Sequence, residues 1–224
     1  MTSTRLIEES DTYYDSVYSK SLIYKQGPKH PDLKYYYPSW KLACDYIKLN
    51  KIKLVIDIGC GPGHLPLTMR DENLDVEYIG IDFSSVAIKQ ARQRMADSNY
   101  QFIIGKAEEV DYKELISSKK YKKDEILITS FEFLEHVEQD LEIISKLPSD
   151  IQICFSVPNY PSKGHVRYFQ NTKSIEDRYK KNLTIGQFEK TVWKGSCIRR
   201  NKHTGELKRF PRQSIIFIFS GKTN

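Results

Sequence analysis

The sequence predicts an α/β protein with a doubly wound, seven-stranded sheet. That sheet is mostly parallel, carries helices on both faces and ends in an antiparallel hairpin. Three observations predict it. Short apolar runs alternate with helical patterns through the middle of the chain, as parallel strands joined by helical crossovers require. The first run leads straight into the glycine loop Asp57-Ile-Gly-Cys-Gly-Pro-Gly63. The last two runs follow each other with no helix between them. The length of 224 residues suits one α/β domain of ordinary size.

In chain order, residues 1–37 are a polar lead-in broken by Gly27-Pro28 and Pro31, and the domain proper is expected over 38–224. Eight of the fifteen tyrosines lie in the first fifty residues. Ser39–Leu49 reads as a helix, with Trp40, Ala43, Cys44 and Ile47 on a helical period. Strands are expected at Lys53–Ile58, Val76–Ile81 (ending at Asp82), Tyr100–Ile104, Glu125–Ser130 and Ile151–Val157. Helices are expected at Ser84–Ala96, with Ser84 or Ser85 as cap, and at Glu138–Leu147. Thr184 and Gln187 have the spacing of a capping box for a short helix. Thr191–Arg200 and Gln213–Ser220 then form a hairpin turning near Thr204-Gly205.

Composition narrows the function classes. No apolar run reaches the ~18–20 residues of a membrane span, and Met1–Ser10 has no apolar signal segment. The four cysteines are scattered without a CxxC pair, so free thiols in a reducing cytoplasm are expected. Net charge is +6, unevenly spread. Residues 163–224 hold 15 Lys/Arg against 4 Asp/Glu, leaving 20 against 25 in residues 1–162. A basic third of this kind suits an anionic acceptor or nucleic acid; a solvated basic face is the plain alternative.

The glycine loop follows a strand, where open parallel sheets bind ligands. Its GxGxG spacing departs from the GxGxxG of dinucleotide sites, and it lacks the Gly-Lys-Ser/Thr of a phosphate loop. Asp57 beside it repels a pyrophosphate and suits a cationic ligand. Asp82, about twenty residues on at the next strand tip, is placed to hold a ribose diol.

The set Asp57-Ile-Gly-Cys-Gly-Pro-Gly63, Gly80-Ile-Asp82, Phe131-Glu-Phe-Leu-Glu-His-Val137 and Ser156-Val-Pro-Asn159 resembles the class I S-adenosylmethionine methyltransferases over residues 37–160. It is most similar to the branch with ubiquinone-biosynthesis and natural-product enzymes. The resemblance implies a Rossmann-like fold and S-adenosylmethionine as cofactor. It implies that Asp57, Gly59, Cys60, Gly61, Gly63 and His64 face the methionine and ribose, and that Asp82 binds the ribose hydroxyls. Phe83 would flank the adenine, with Ala107 and Glu108 beside it. Lys106 stands where relatives carry an aspartate, so Glu108 or a backbone group would take the adenine amino contact. Ser130, Phe131 and Glu132 would line the methionine part.

Glu132, Glu135 and His136 sit at i, i+3 and i+4 and would share one face of a helix. Three readings stay open. Glu135 and His136 face the acceptor, with His136 as general base; or the three bind a divalent metal with His165, an arrangement resembling the small-RNA 2′-O-methyltransferases; or His136 merely caps or packs. The first is the expectation, with no metal. His165, Arg167 and Tyr168, after the fifth strand, are acceptor contacts, with His165 a second catalytic candidate. Tyr13, Tyr14, Tyr18 and Tyr24, then Tyr35, Tyr36, Tyr37 and Trp40, would form an aromatic lid over cofactor and acceptor, with Tyr13 or Tyr14 as its substrate contact. The expected function is methyl transfer to an O or N atom of a small molecule, an anionic one being suited to the basic C-terminal third. The alternatives are an RNA methyltransferase using the basic stretch Lys163–Arg212, and a non-catalytic cofactor-binding partner subunit.

Overall fold

The computed structural model describes residues 7–96, 100–200 and 207–224, with 195–200 and 207–212 described by backbone alone. Seven strands form one sheet: β1 (Leu54–Ile58), β2 (Glu77–Asp82), β3 (Gln101–Ile104), β4 (Ile126–Phe131), β5 (Gln152–Pro158), β6 (Leu183–Arg200) and β7 (Leu207–Thr223). Their order is β3-β2-β1-β4-β5-β7-β6. The first five run parallel, and β7 is antiparallel to both β5 and β6. From β1 the chain builds outward in one direction to β3, then returns to the other side for β4. The loops after β1 and β4 therefore diverge and open a crevice at the carboxyl ends of the strands.

Helices α1 (Asp11–Lys20), α2 (Tyr37–Asn50), α3 (His64–Asp71), α4 (Ser85–Arg94), α5 (Tyr112–Ser117), α6 (Asp140–Ser145) and α7 (Thr172–Tyr179) surround the sheet. Successive strand residues point to opposite faces, so Leu54, Ile56 and Ile58 join one apolar cluster while Val55 joins the other. Burial on both faces is why β1 reads as an apolar run, interrupted only by Asp57, rather than an alternation. Ser84 caps α4 by accepting from the Ala87 amide at 3.1 Å.

Two expectations need correction, and one falls outside the description. The lead-in holds a full helix, α1, capped by Ser10, which accepts from the Tyr13 amide at 3.3 Å. Thr184 and Gln187 lie inside β6 rather than capping a helix; Thr184 pairs with Lys222, and a register shift falls between Ile185 and Gln187. Seventeen residue pairs across the β6–β7 ladder, interrupted once at Gly186, override a local capping pattern. The hairpin turn expected near Thr204-Gly205 lies outside the described residues.

Candidate active site

The loop after β1 is stitched to β2: the amides of Gly59 and Cys60 donate to the Ile81 carbonyl at 2.8 and 3.0 Å. Gly59 has φ 73°, and a Cβ there would lie 2.4 Å from the Phe133 ring. Only glycine permits that approach. His64 starts α3, stacks on Trp40 at 4.9 Å and meets the Gln26 carbonyl through Nε2 at 3.2 Å.

Asp57 is nearly buried and already engaged. The Tyr78 hydroxyl from β2 and the Thr129 hydroxyl from β4 donate to its two oxygens at 2.7 and 2.8 Å. Burial pushes its carboxyl up to about 6 against those two bonds. Asp57 thus ties three strands together beneath the loop while bordering the cavity.

Asp82 accepts from the Gly61 amide and the Ser84 amide, each at 2.9 Å, one on each oxygen. Burial raises its carboxyl to about 6, the two amides opposing. A carboxylate offers about four acceptor positions, so each oxygen keeps one for a ligand hydroxyl.

Asp82 stands where two adjoining cavities meet. One, of about 230 Å³, is bounded by Phe83, Lys106, Ala107, Glu108, Phe133 and the chain at 8–11. The other, of about 320 Å³, runs past the glycine loop to Glu132, His136 and His165 beneath Tyr13, Tyr14, Tyr18, Tyr24, Tyr36 and Tyr160. Gly59, Cys60, Gly61, His64 and Phe131 also border the larger one. Gly63 is buried at the N-cap of α3, where a Cβ would press on Ala91 at 3.2 Å.

The segment after β4 is a turn, not a helix; α6 begins only at Asp140. Glu132 has φ 52°, a left-handed backbone costly outside glycine. Ser156 of β5 holds it there. Its hydroxyl accepts from the Glu132 amide and donates to Glu132 Oε1, both at 3.0 Å. His136 Nδ1 lies 2.7 Å from the Tyr14 hydroxyl and 2.9 Å from the Gly164 carbonyl. His165 Nδ1 lies 3.1 Å from the Tyr160 carbonyl, and the two imidazoles meet edge to face at 4.6 Å. Burial, then neighbouring His165, pushes His136 down to about 3. Burial also lowers His165 and raises both Glu132 and Glu135.

Four residues expected at the ligand stand elsewhere. Arg167 points away from the cavities and clamps the turn, donating to the carbonyls of Leu134, Val137 and Glu138 beside Asp140. Tyr168 is 40% exposed on the surface. Glu135 is fully buried behind His136, because the turn sends it inward. Ser130 is likewise buried in β4, one residue short of the cavity. Tyr18, Tyr24, Tyr36 and Trp40 of the aromatic lead-in border the site along with Tyr13 and Tyr14, whereas Phe133 and Tyr160 border it unanticipated.

This strand order, with a glycine loop after β1 and an acid at the tip of β2, defines the class I S-adenosylmethionine-dependent methyltransferase fold. The chain belongs to the methyltransferase domain family, which residues 49–198 match. Among solved structures it is similar to the YcgJ protein of Bacillus subtilis, at 16% identity and TM-score 0.58 over 84% of this chain and all of that one. It is also similar to magnesium protoporphyrin IX methyltransferase from Synechocystis with bound S-adenosylmethionine, at 14% and 0.57 over 95% of this chain and 98% of that one. The small RNA methyltransferase HEN1 is similar at 18% and 0.55, over 81% of this chain and 24% of that one. No curated protein matches the chain. Among the described residues, no helix is long and apolar enough to cross a membrane.

Proposed function

We propose that the protein transfers a methyl group from S-adenosylmethionine to an oxygen or nitrogen of a small acceptor bound beside Glu132 and His136. The observation that carries this reading is Asp82, with spare acceptor positions where the two cavities meet. With a ribose diol at that point, Phe83 and Glu108 would hold the adenine, and the glycine loop and Glu132 the methionine. Bound there, the cofactor supplies an electrophilic methyl on a sulfonium.

The chain's own residues then position and enclose. Reacting atoms must be held about 3–3.5 Å apart, and the tyrosines over the larger cavity exclude water from that contact. Aromatic faces and the carboxylate of Glu132 suit a positive sulfonium. We assign the described part of the lead-in, residues 7–37, to this cap. His136, neutral at physiological pH, gives up no proton to the acceptor and is a weak base. The cavity walls carry Glu8, Glu9 and Glu132, with Lys163 as a cation at the rim. Those walls favour a neutral or cationic acceptor over an anion.

Calorimetry with S-adenosylmethionine and its demethylated product tests cofactor binding, and absence of both would overturn the reading. Transfer of labelled methyl to a panel of small hydroxyl and amine compounds, with short RNAs alongside, tests the acceptor. Label entering RNA alone would replace the small acceptor with a polymer, and no transfer to any acceptor would favour a partner subunit.

A further inference from the structure

We propose that the methyl acceptor is an amine, held as its ammonium by the carboxylate of Glu132 among Tyr24, Tyr36 and Tyr160, and methylated on nitrogen. The inference rests on the methyl transfer proposed above and names the substrate class of that same site. All four residues border the larger cavity.

The charge on the walls points to a cation. Five carboxylates border this cavity, those of Glu8, Glu9, Asp57, Asp82 and Glu132, and among the described residues Lys163 is the one lysine or arginine beside them. Four of the five are engaged. Asp57 holds two hydroxyls, and Asp82 holds two backbone amides with its spare positions toward a neutral diol. Glu8 accepts from the Glu138 amide at 2.7 Å, and Glu9 lies 3.9 Å from the Lys163 ammonium. Glu132 differs. Ser156 donates to its Oε1 at 3.0 Å, which takes one of about four acceptor positions on the carboxylate. One net positive charge, as S-adenosylmethionine brings, does not balance such a wall.

The tyrosines supply the other half of the recognition. Burial first, with the charge of Glu132 among the neighbours adding to it, raises the hydroxyls of Tyr24, Tyr36 and Tyr160. All three are thus neutral and within electrostatic reach of that carboxylate. Tyr36 and Tyr160 also hydrogen-bond to each other, tying the start of α2 to the loop after β5. Aromatic rings attract a desolvated cation and give a neutral hydroxyl no such gain. The chain makes this pairing once itself. At the rim, Lys163 Nζ sits 4.3 Å from the centre of the Tyr13 ring, beside Glu9. Glu132 with its tyrosines offers the same pairing to a ligand.

Nitrogen also suits the proton balance. The ammonium passes one proton to the Glu132 carboxylate, and burial, which raises Glu132, favours that transfer. The freed lone pair forms the N–C bond to the methyl as the C–S bond breaks, and sulfur keeps the electron pair. The product is again an ammonium, and Glu132 returns its proton to solvent. An alcohol is a far weaker acid than an ammonium and would not surrender its proton to a carboxylate.

The test uses the full chain saturated with the demethylated cofactor. Calorimetry compares tetramethylammonium with tert-butanol, an uncharged probe of similar shape. Labelled methyl transfer is followed in parallel on matched pairs, benzylamine with benzyl alcohol and phenethylamine with phenylethanol. The cation should bind roughly 10–100-fold more tightly than the alcohol, and label should enter the amines. Glu132→Gln should cut that preference roughly 10-fold, and Tyr36→Leu roughly 2–10-fold. Alcohols bound or methylated as well as their amines, or an unchanged preference in folded Glu132→Gln, overturn the inference. If Glu132→Gln fails to fold by circular dichroism, an unchanged preference in Tyr36→Leu overturns it instead. Label entering only the alcohols removes this inference and leaves the proposed function standing. No binding of the demethylated cofactor removes the proposed function, and the inference with it.

Discussion

The Tyr14 hydroxyl lies 2.7 Å from Nδ1 of His136, joining helix α1 to the turn after β4 across 122 positions of sequence. A third segment meets them there. Gly164, at φ 82°, brings its carbonyl to the same nitrogen and leaves only 2.8 Å between a would-be Cβ and the Tyr14 oxygen. The Tyr14 ring also leans on Phe83 at 5.5 Å. Asp15 on the next position accepts from the Val86 amide at 3.3 Å and from the Ser84 hydroxyl at 2.5 Å, fastening α1 to the start of α4. The cap over the cleft is thus anchored on both the Asp82 side and the His136 side.

Tyr14→Phe keeps the ring and removes only the hydroxyl. One neutral hydrogen bond contributes about 0.5–1.5 kcal/mol net. S-adenosylmethionine affinity should fall roughly 2–10-fold by calorimetry, with thermal stability nearly unchanged. Unchanged affinity would mean that α1 does not close over the cofactor.

Asp82→Asn tests the ribose contact. An amide cannot accept on both sides, so either Gly61 or Ser84 loses its acceptor, and the diol loses a charged partner. Hydrogen bonds to charged groups contribute about 1.5–3 kcal/mol, so affinity for the demethylated cofactor should drop roughly 10–100-fold. Wild-type affinity in a folded variant would remove Asp82 from the ligand.

The same chemistry shows what the sequence made legible. β1 and β4 are buried on both faces, so their apolar runs stood out, and Asp82 was readable because it ends such a run. α1 was not, since the side it turns to the cleft is made of tyrosines in a polar stretch. The placement of Glu132, Glu135 and His136 was readable only as a helix, and the left-handed backbone at Glu132 breaks that spacing. Glu132 faces the cavity while Glu135 turns inward, a distinction that depends on Ser156 from a different strand. Arg167 and Tyr168 looked like acceptor contacts from their loop, but nothing local to them reveals the carbonyls of 134, 137 and 138 that claim the guanidinium.

Arg167→Met tests that clamp. The side chain is 14% exposed and braces the turn carrying Glu135 and His136. Asp140 retains Arg178 and the Tyr179 hydroxyl, so the cost falls short of an orphaned buried charge. A loss of about 2 kcal/mol is expected, lowering Tm by roughly 4–8 °C. Thermal unfolding checks it, and a variant as stable as the wild type would return Arg167 to the list of ligand contacts.

His64 predicts a pH dependence of stability. It is buried against Trp40, with Nε2 on the Gln26 carbonyl. Burial first, then the charge of Arg94, holds its imidazole near 3 against an ordinary 6.5. Between those values the unfolded chain binds a proton that the folded chain does not. His64 therefore contributes stability that is fully present above about pH 6.5 and is lost as the pH falls toward 3. The slope from one such proton is about 1.4 kcal/mol per pH unit. His64→Phe keeps a ring on Trp40 and removes the titration. Urea unfolding at pH 7, 6 and 5 should show the variant losing stability more slowly than the wild type, by about that slope between pH 6 and 5. His136 is buried in the same sense and remains in both proteins, so the difference isolates His64. Parallel stability curves would show that the imidazole takes up its proton in the folded protein, with Trp40 and Gln26 rearranged around it.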